Sequence, residues 1–92
     1  MNGTPHVSAA AVRERLQQTL APVTLEVVDD SAAHAGHAGA REGSHLSVRI
    51  VSARFAGLPR VARHRLVYDA LSTLMPQGIH ALAIDARAPD EP

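Results

Sequence analysis

The chain has no cysteine, no tryptophan and no lysine, and Phe55 and Tyr68 are its only aromatic residues. Without thiols there can be no disulfide, no cysteine nucleophile and no thiolate metal site built by this chain alone. With aromatics so scarce the core must be aliphatic, and stacking platforms for nucleobases are missing. Nine arginines balance nine acidic residues. There is therefore no basic excess of the kind a general nucleic-acid coat requires, although a local basic patch stays open. No apolar run approaches the roughly 20 residues of a membrane span. The first residues also lack the charged-then-apolar layout of a signal peptide. These absences set the expectation of a soluble, cytoplasmic protein with no membrane partner.

What is present suffices to fold. Ninety-two residues, 46 % of them hydrophobic, make one small domain. Residues 1–7, with Gly3 and Pro5, read as a flexible tail, 8–88 as the domain and 89–92 as a C-terminal tail. Ser8 is placed to cap a helix running to Leu20, with Val12, Leu16 and Leu20 on one stripe and Pro22 stopping it. Val23 to Val27 alternates apolar and polar as a half-buried strand does, and Leu46 to Ile50 repeats the pattern; the two are expected to pair antiparallel. Pro59 suits a helix start, and Val67, Ala70, Leu71, Leu74 and Met75 predict one helix from Arg60 to Met75, ended by Pro76 and Gly78. Ile79 to Ile84 reads as a third strand, apolar enough to be covered on one side and to suggest the centre of the sheet. The order is α-β-β-α-β, an α+β domain with helices packed on one face of a small sheet.

Between the first two strands lies DDSAAHAGHAGAREGSHL, from Asp29 to Leu46, which carries His34, His37 and His45 and almost nothing apolar larger than alanine. A structureless connection of this length in a compact domain is usually functional or disordered. A helix-bearing link from Ser52 to Ile79 predicts that the third strand lies parallel to the second. Their N-terminal ends then share one edge of the sheet, so His80, His45 and the loop with His34 and His37 are expected to converge. Clustered imidazoles are a ligand inventory for a borderline metal, although the His34-x-x-His37 spacing alone matches no zinc signature. Solvated loop histidines are the plainer alternative. His64, in Arg63-His64-Arg65, reads as a hydrogen-bonded helix histidine. Arg60, Arg63 and Arg65 read first as a solvated helix face and second as a phosphate-binding patch. No catalytic triad, carboxylate pair or phosphate loop stands out, so the expectation is a non-enzymatic protein.

The segments LEVVDDSAAHAGH, SHL-V-IVS, F-G-P-VARHRLVYDAL and GIHALAIDA, in this order and separation, resemble the BolA family from Val12 to about Pro89. The resemblance implies an α-β-β-α-(short helix)-β fold with a three-stranded mixed sheet, class II KH-like. It also implies a partner, a monothiol glutaredoxin of the CGFS type, and a [2Fe–2S] cluster shared with that glutaredoxin and glutathione, none being expected on the isolated chain. Carried over by position, His80 in GIHAL matches the family's principal ligand. His34 matches the second, with His37 the competing candidate because this loop is longer than in many relatives. His45 and His64 match structural or interaction positions. The family often has an aromatic directly after the histidine that opens the second strand; here Leu46 stands there, a difference expected to affect packing. The alternative the family suggests is a DNA-binding transcription regulator, resting here on Arg60, Arg63 and Arg65 with Arg49 and Arg54 nearby. A weak homodimer is a further expectation.

Overall fold

The computed structural model describes residues 7–29 and 44–91, the side chains of Ser44, His80 and Ala81 excepted. The elements are α1 (Ala9–Leu20), β1 (Thr24–Asp29), β2 (Ser44–Val51), a 3-10 turn (Ala53–Phe55), α2 (Arg60–Ala70), α3 (Met75–Gly78) and β3 (Ile79–Arg87). This is the α-β-β-α-(short helix)-β, class II KH-like order that the resemblance implied. Ser8 caps α1 as expected, its side chain accepting from the Ala11 N–H at 3.1 Å. The helix ends at Ala21, which adopts the left-handed conformation (φ 44°) immediately before Pro22.

The helix expected from Arg60 to Met75 is instead two helices. Pro76 would have no N–H to give the Ser72 carbonyl, and its ring would crowd that same carbonyl. The chain accordingly leaves the α-helical pattern a turn early. The N–H of Leu74 bonds to the Leu71 carbonyl at 2.8 Å, and Pro76 sits in the first turn of α3, where a missing N–H costs nothing. Pro76 thus opens a helix rather than closing one. Gly78 (φ 146°) then swings the backbone from α3 into β3, a conformation that residues with a Cβ rarely adopt.

The sheet order is β1-β2-β3. β1 pairs antiparallel with β2, Val27 opposite Val48, and β3 pairs parallel with β2, Val48 opposite Ile84. Both pairings match the sequence expectation, but the centre is occupied by β2. The antiparallel partner takes one side of β2 and the parallel partner takes the other, leaving β3 at an edge. Among the described residues, Leu46, Val48 and Ile50 of β2 and Val27 of β1 are buried on one face, against Val12, Leu16 and Leu20 of α1 and Val67 of α2. Burying a Val or Leu of this kind contributes about 1.5–3 kcal/mol. Leu46, where the resemblance leads one to expect an aromatic, is 2 % exposed and belongs to the core. Phe55 and Leu71 are fully buried in the same cluster. The opposite face carries Glu26, Ser47, Arg49, Ala83 and Asp85, which alternation along the strands places away from the helices.

Candidate functional site

Two regions collect the residues that the sequence singled out, and they lie at opposite ends of the sheet. At the first, β2 and β3 begin side by side: Ser44 is opposite Ile79, and His45 is opposite Ala81. The register shifts between those two pairs, so His80 is the extra residue of a bulge in β3. Bulges re-aim side chains and are over-represented next to functional sites. The expected approach of His80 to the start of β2 is met in the backbone. The side chain of His80, and all of His34 and His37, lie outside the described residues. His45 is half-buried, and its alternation with buried Leu46 assigns it to the face opposite the helices. Asp29, opposite Leu46, ends β1 at this same end. Among the described residues, no three ligating side chains gather in a way that could hold a metal.

At the other end, Val51 of β2 is opposite Arg87 of β3, and α2 begins nearby. The first turns of α2 and the C-terminal half of β3 enclose a recess of about 620 Å³ lined by Leu58, Arg60, Arg63, His64, Asp85, Arg87 and Glu91, among others. Arg63 is not the solvated helix residue the sequence suggested, since its side chain is only 13 % exposed. It donates to the Leu58 carbonyl at 2.7 Å and the Ala86 carbonyl at 3.2 Å, and forks onto both carboxylate oxygens of Glu91 at 2.5 and 2.6 Å. Such a planar, bidentate match is what distinguishes arginine from lysine at a structural ion pair. Glu91 also accepts from the Ala88 N–H at 3.1 Å. The Arg63 hydrogen bonds and this backbone bond hold its carboxyl down at about 2, while Glu91 in turn raises Arg63. The segment that composition marked as a tail is thereby fastened to α2.

Arg87 donates to both carboxylate oxygens of Asp85, at 2.9 and 3.4 Å, and this bonding lowers the Asp85 carboxyl below its usual range. Arg49 lies between Glu26 (3.7 Å) and Asp85 (3.9 Å) on the open face, an exposed arrangement that contributes little to stability. Arg60 and Arg65 are exposed on α2. His64 is half-buried and lines the recess, with no hydrogen bond of its side chain among the described residues.

Ser52 closes this end of the sheet, and it is the one buried polar residue among those described. Its hydroxyl donates to the Leu20 carbonyl at 2.7 Å and accepts from the Arg54 N–H at 3.1 Å, while its own N–H donates to the Arg87 carbonyl at 2.9 Å. Ser52 so ties the end of α1 to the ends of β2 and β3. Sequence reasoning gave it no role, because nothing local marks a serine that bonds a residue 32 positions away.

A family model described as BolA-like protein matches residues 16–91. The chain belongs to the BolA family. Its relatives include the chloroplastic protein BOLA1 of Arabidopsis thaliana, 45 % identical over 87 residues that cover 90 % of this chain and 54 % of that protein. They also include the DNA-binding transcriptional regulator BolA of Escherichia coli K12, 41 % identical over 73 residues covering 79 % and 68 % of the two chains. The BolA chain here thus spans about half the length of the plant relative. The solved structure of BolA1 from Arabidopsis thaliana superposes with a TM-score of 0.79 at 42 % identity, covering 94 % of this chain and 97 % of that one. No helix among the described residues is long and apolar enough to cross a membrane. The plant relative is by its name a chloroplast protein, so kinship lends the cytoplasmic expectation no support.

Proposed function

We propose that this BolA chain is a non-enzymatic adaptor that pairs with a monothiol glutaredoxin and lends imidazole ligands to a bridging [2Fe–2S] cluster. The glutaredoxin would supply its cysteine and a bound glutathione thiol. The observation that carries this reading is the parallel β2–β3 pairing, which sets the backbone of His80 beside the start of β2, where the histidine-bearing connection enters. His80 is the leading ligand, His34 the second and His37 its competitor. The donor chemistry fits a contributor rather than a host, since the chain has six histidines and no thiolate. When bound, such a cluster supplies an iron centre whose potential is raised by mixed His/Cys ligation and whose retention depends on pH. The chain's part is to hold neutral imidazoles at a sheet end that a partner can reach, and β3 offers this as an edge strand.

Anaerobic reconstitution with a monothiol glutaredoxin, iron, sulfide and glutathione, followed by visible circular dichroism, tests this. The expected result is a one-to-one complex with a spectrum distinct from the glutaredoxin homodimer's, lost in His80→Ala. A spectrum identical to the homodimer's, with no complex on a sizing column, overturns the reading. An unchanged spectrum in His80→Ala overturns the ligand assignment.

A second reading, a DNA-binding regulator, is favoured by the name of the Escherichia coli relative. On this chain it rests on Arg60 and Arg65, which are exposed on α2, because Arg63 is already engaged with Glu91. Charge reversal at Arg60 and Arg65 should then weaken duplex binding and make it less salt-dependent, the slope of log affinity against log salt falling by about 1 for each phosphate no longer held. The cluster spectrum should be untouched.

A further inference from the structure

We infer that the recess between the first turns of α2 and the C-terminal half of β3 binds a small phosphorylated ligand, with Arg60 and His64 as the donor groups. The charges around the recess are arranged unequally. Arg63 is consumed by Glu91, and Arg87 by Asp85, each through two hydrogen bonds. The two carboxylates in the recess are therefore already neutralised, and the walls retain one net positive charge with His64 neutral. That charge belongs to Arg60, which, like His64, has no hydrogen bond or ion pair among the described residues. An exposed surface arginine without a partner is ordinary. A guanidinium drawn only by the longer-range pull of Asp85 and an imidazole, both lining one recess of about 620 Å³ and neither hydrogen-bonded among the described residues, form an open donor set.

The geometry selects the class of anion. Arg60 and His64 are four residues apart on α2, so they project from the same helix face about 5–6 Å apart. A carboxylate offers two oxygens, and one guanidinium can occupy both, as Arg63 does on Glu91. A phosphate monoester presents three acceptor oxygens and can accept from two separate donors at once. The recess exceeds what a bare phosphate fills and falls within the range of sites for small molecules. It is concave and bounded by the Arg63–Glu91 pair, whereas a duplex backbone needs a row of available cations, and of the arginines lining the recess Arg60 alone makes no hydrogen bond among the described residues. This inference does not rest on the glutaredoxin reading, since the histidine end of the sheet plays no part in it.

The probes are inorganic phosphate, pyrophosphate, acetate and a short DNA duplex, titrated into the isotope-labelled chain and followed by amide chemical shifts. Saturable shifts for pyrophosphate and phosphate at residues 58–64 and 84–87, with little response to acetate, are expected. Arg60→Gln with His64→Gln should weaken pyrophosphate binding about tenfold or more, the usual consequence of losing hydrogen bonds to a charged group. The thermal midpoint should stay nearly unchanged, because neither side chain makes a hydrogen bond among the described residues. Arg65→Glu, which lies off the recess, should leave pyrophosphate affinity as it is. Absence of saturation, an equal response to acetate, or full affinity in the double variant each overturns the inference. A duplex that displaces pyrophosphate from the same residues and loses affinity with Arg65→Glu overturns it as well, and assigns the recess to nucleic-acid backbone.

Discussion

The two ends of the sheet are built on different principles. At the end where α2 starts, the charged side chains are mostly spent on the fold: Arg63 holds Leu58, Ala86 and Glu91 together, and Ser52 joins α1 to β2 and β3. At the end where β2 and β3 start, the backbone bulges at His80 and the long histidine-bearing connection enters. The first end derives its order from hydrogen bonds that close over distant sequence. The second contributes residue types, imidazoles, whose value lies in what they could do with a partner. Variants that destabilise the chain should therefore concentrate at the α2 end, and variants that change the proposed chemistry should concentrate at the histidine end.

The largest expected effect is at Phe55, which is fully buried just beyond β2. Phe55→Ala should cost about 3–5 kcal/mol, read from urea unfolding, which is enough to unfold much of a small domain. A cost below about 1 kcal/mol would mean that the α2 end is not where the core is anchored. Ser52→Ala is the sharper test of the comparison. Removing the hydroxyl leaves the Leu20 carbonyl and the Arg54 N–H without their partner, for about 1–3 kcal/mol. Yet the folded variant should still give the wild-type cluster spectrum with a glutaredoxin. If Ser52→Ala loses that spectrum while it remains folded, the two ends are coupled and the division fails.

Acid should strain the α2 end first. Glu91 has its carboxyl depressed from 4.5 to about 2 in the folded chain by Arg63 and by the Ala88 N–H. A group depressed in this way contributes stability that is fully present above 4.5 and is lost as the pH falls toward 2. Asp85, lowered by Arg87, acts in the same direction. Wild-type chain should lose stability across that window, and Glu91→Gln should flatten the loss while lowering stability at neutral pH. Equal slopes for the two proteins would show that the Arg63–Glu91 pair does not differ between folded and unfolded states.

Much of this was legible from local pattern. Ser8 and the Val12, Leu16 and Leu20 stripe announced α1, the alternations announced β1 and β2, and the helix-bearing connection announced parallel β3. Each of these signals acts within a few residues or follows from chain handedness. What was missed acts at a distance or through competition. The break after Ala70 depends on Pro76 acting on a carbonyl four residues earlier, against an apolar periodicity that ran through it. The edge position of β3 depends on which side of β2 was already taken. Arg63 looked like one of three equivalent arginines, and only the return of Glu91, 28 residues later, separates it from Arg60 and Arg65. Among the candidate ligands the topology locates the backbone of His80, while His34 and His37 lie outside the described residues and keep the order that the resemblance gave them.

The smallest expected effect is a gain, and it also belongs to the α2 end. Ala21 closes α1 at φ 44°, where a Cβ crowds the backbone, and the helix must stop there because Pro22 follows. Glycine reaches this conformation without that crowding, although it also loses more freedom on folding. The steric relief is the larger of the two, so Ala21→Gly should stabilise the chain by about 0.5–1 kcal/mol, visible as a raised urea midpoint with an unchanged slope. The neighbouring Leu20 carbonyl, held by Ser52, should keep that bond. If Ala21→Gly instead destabilises, the left-handed turn is held by contacts of the alanine methyl, and the end of α1 is packed more tightly than its backbone angles imply.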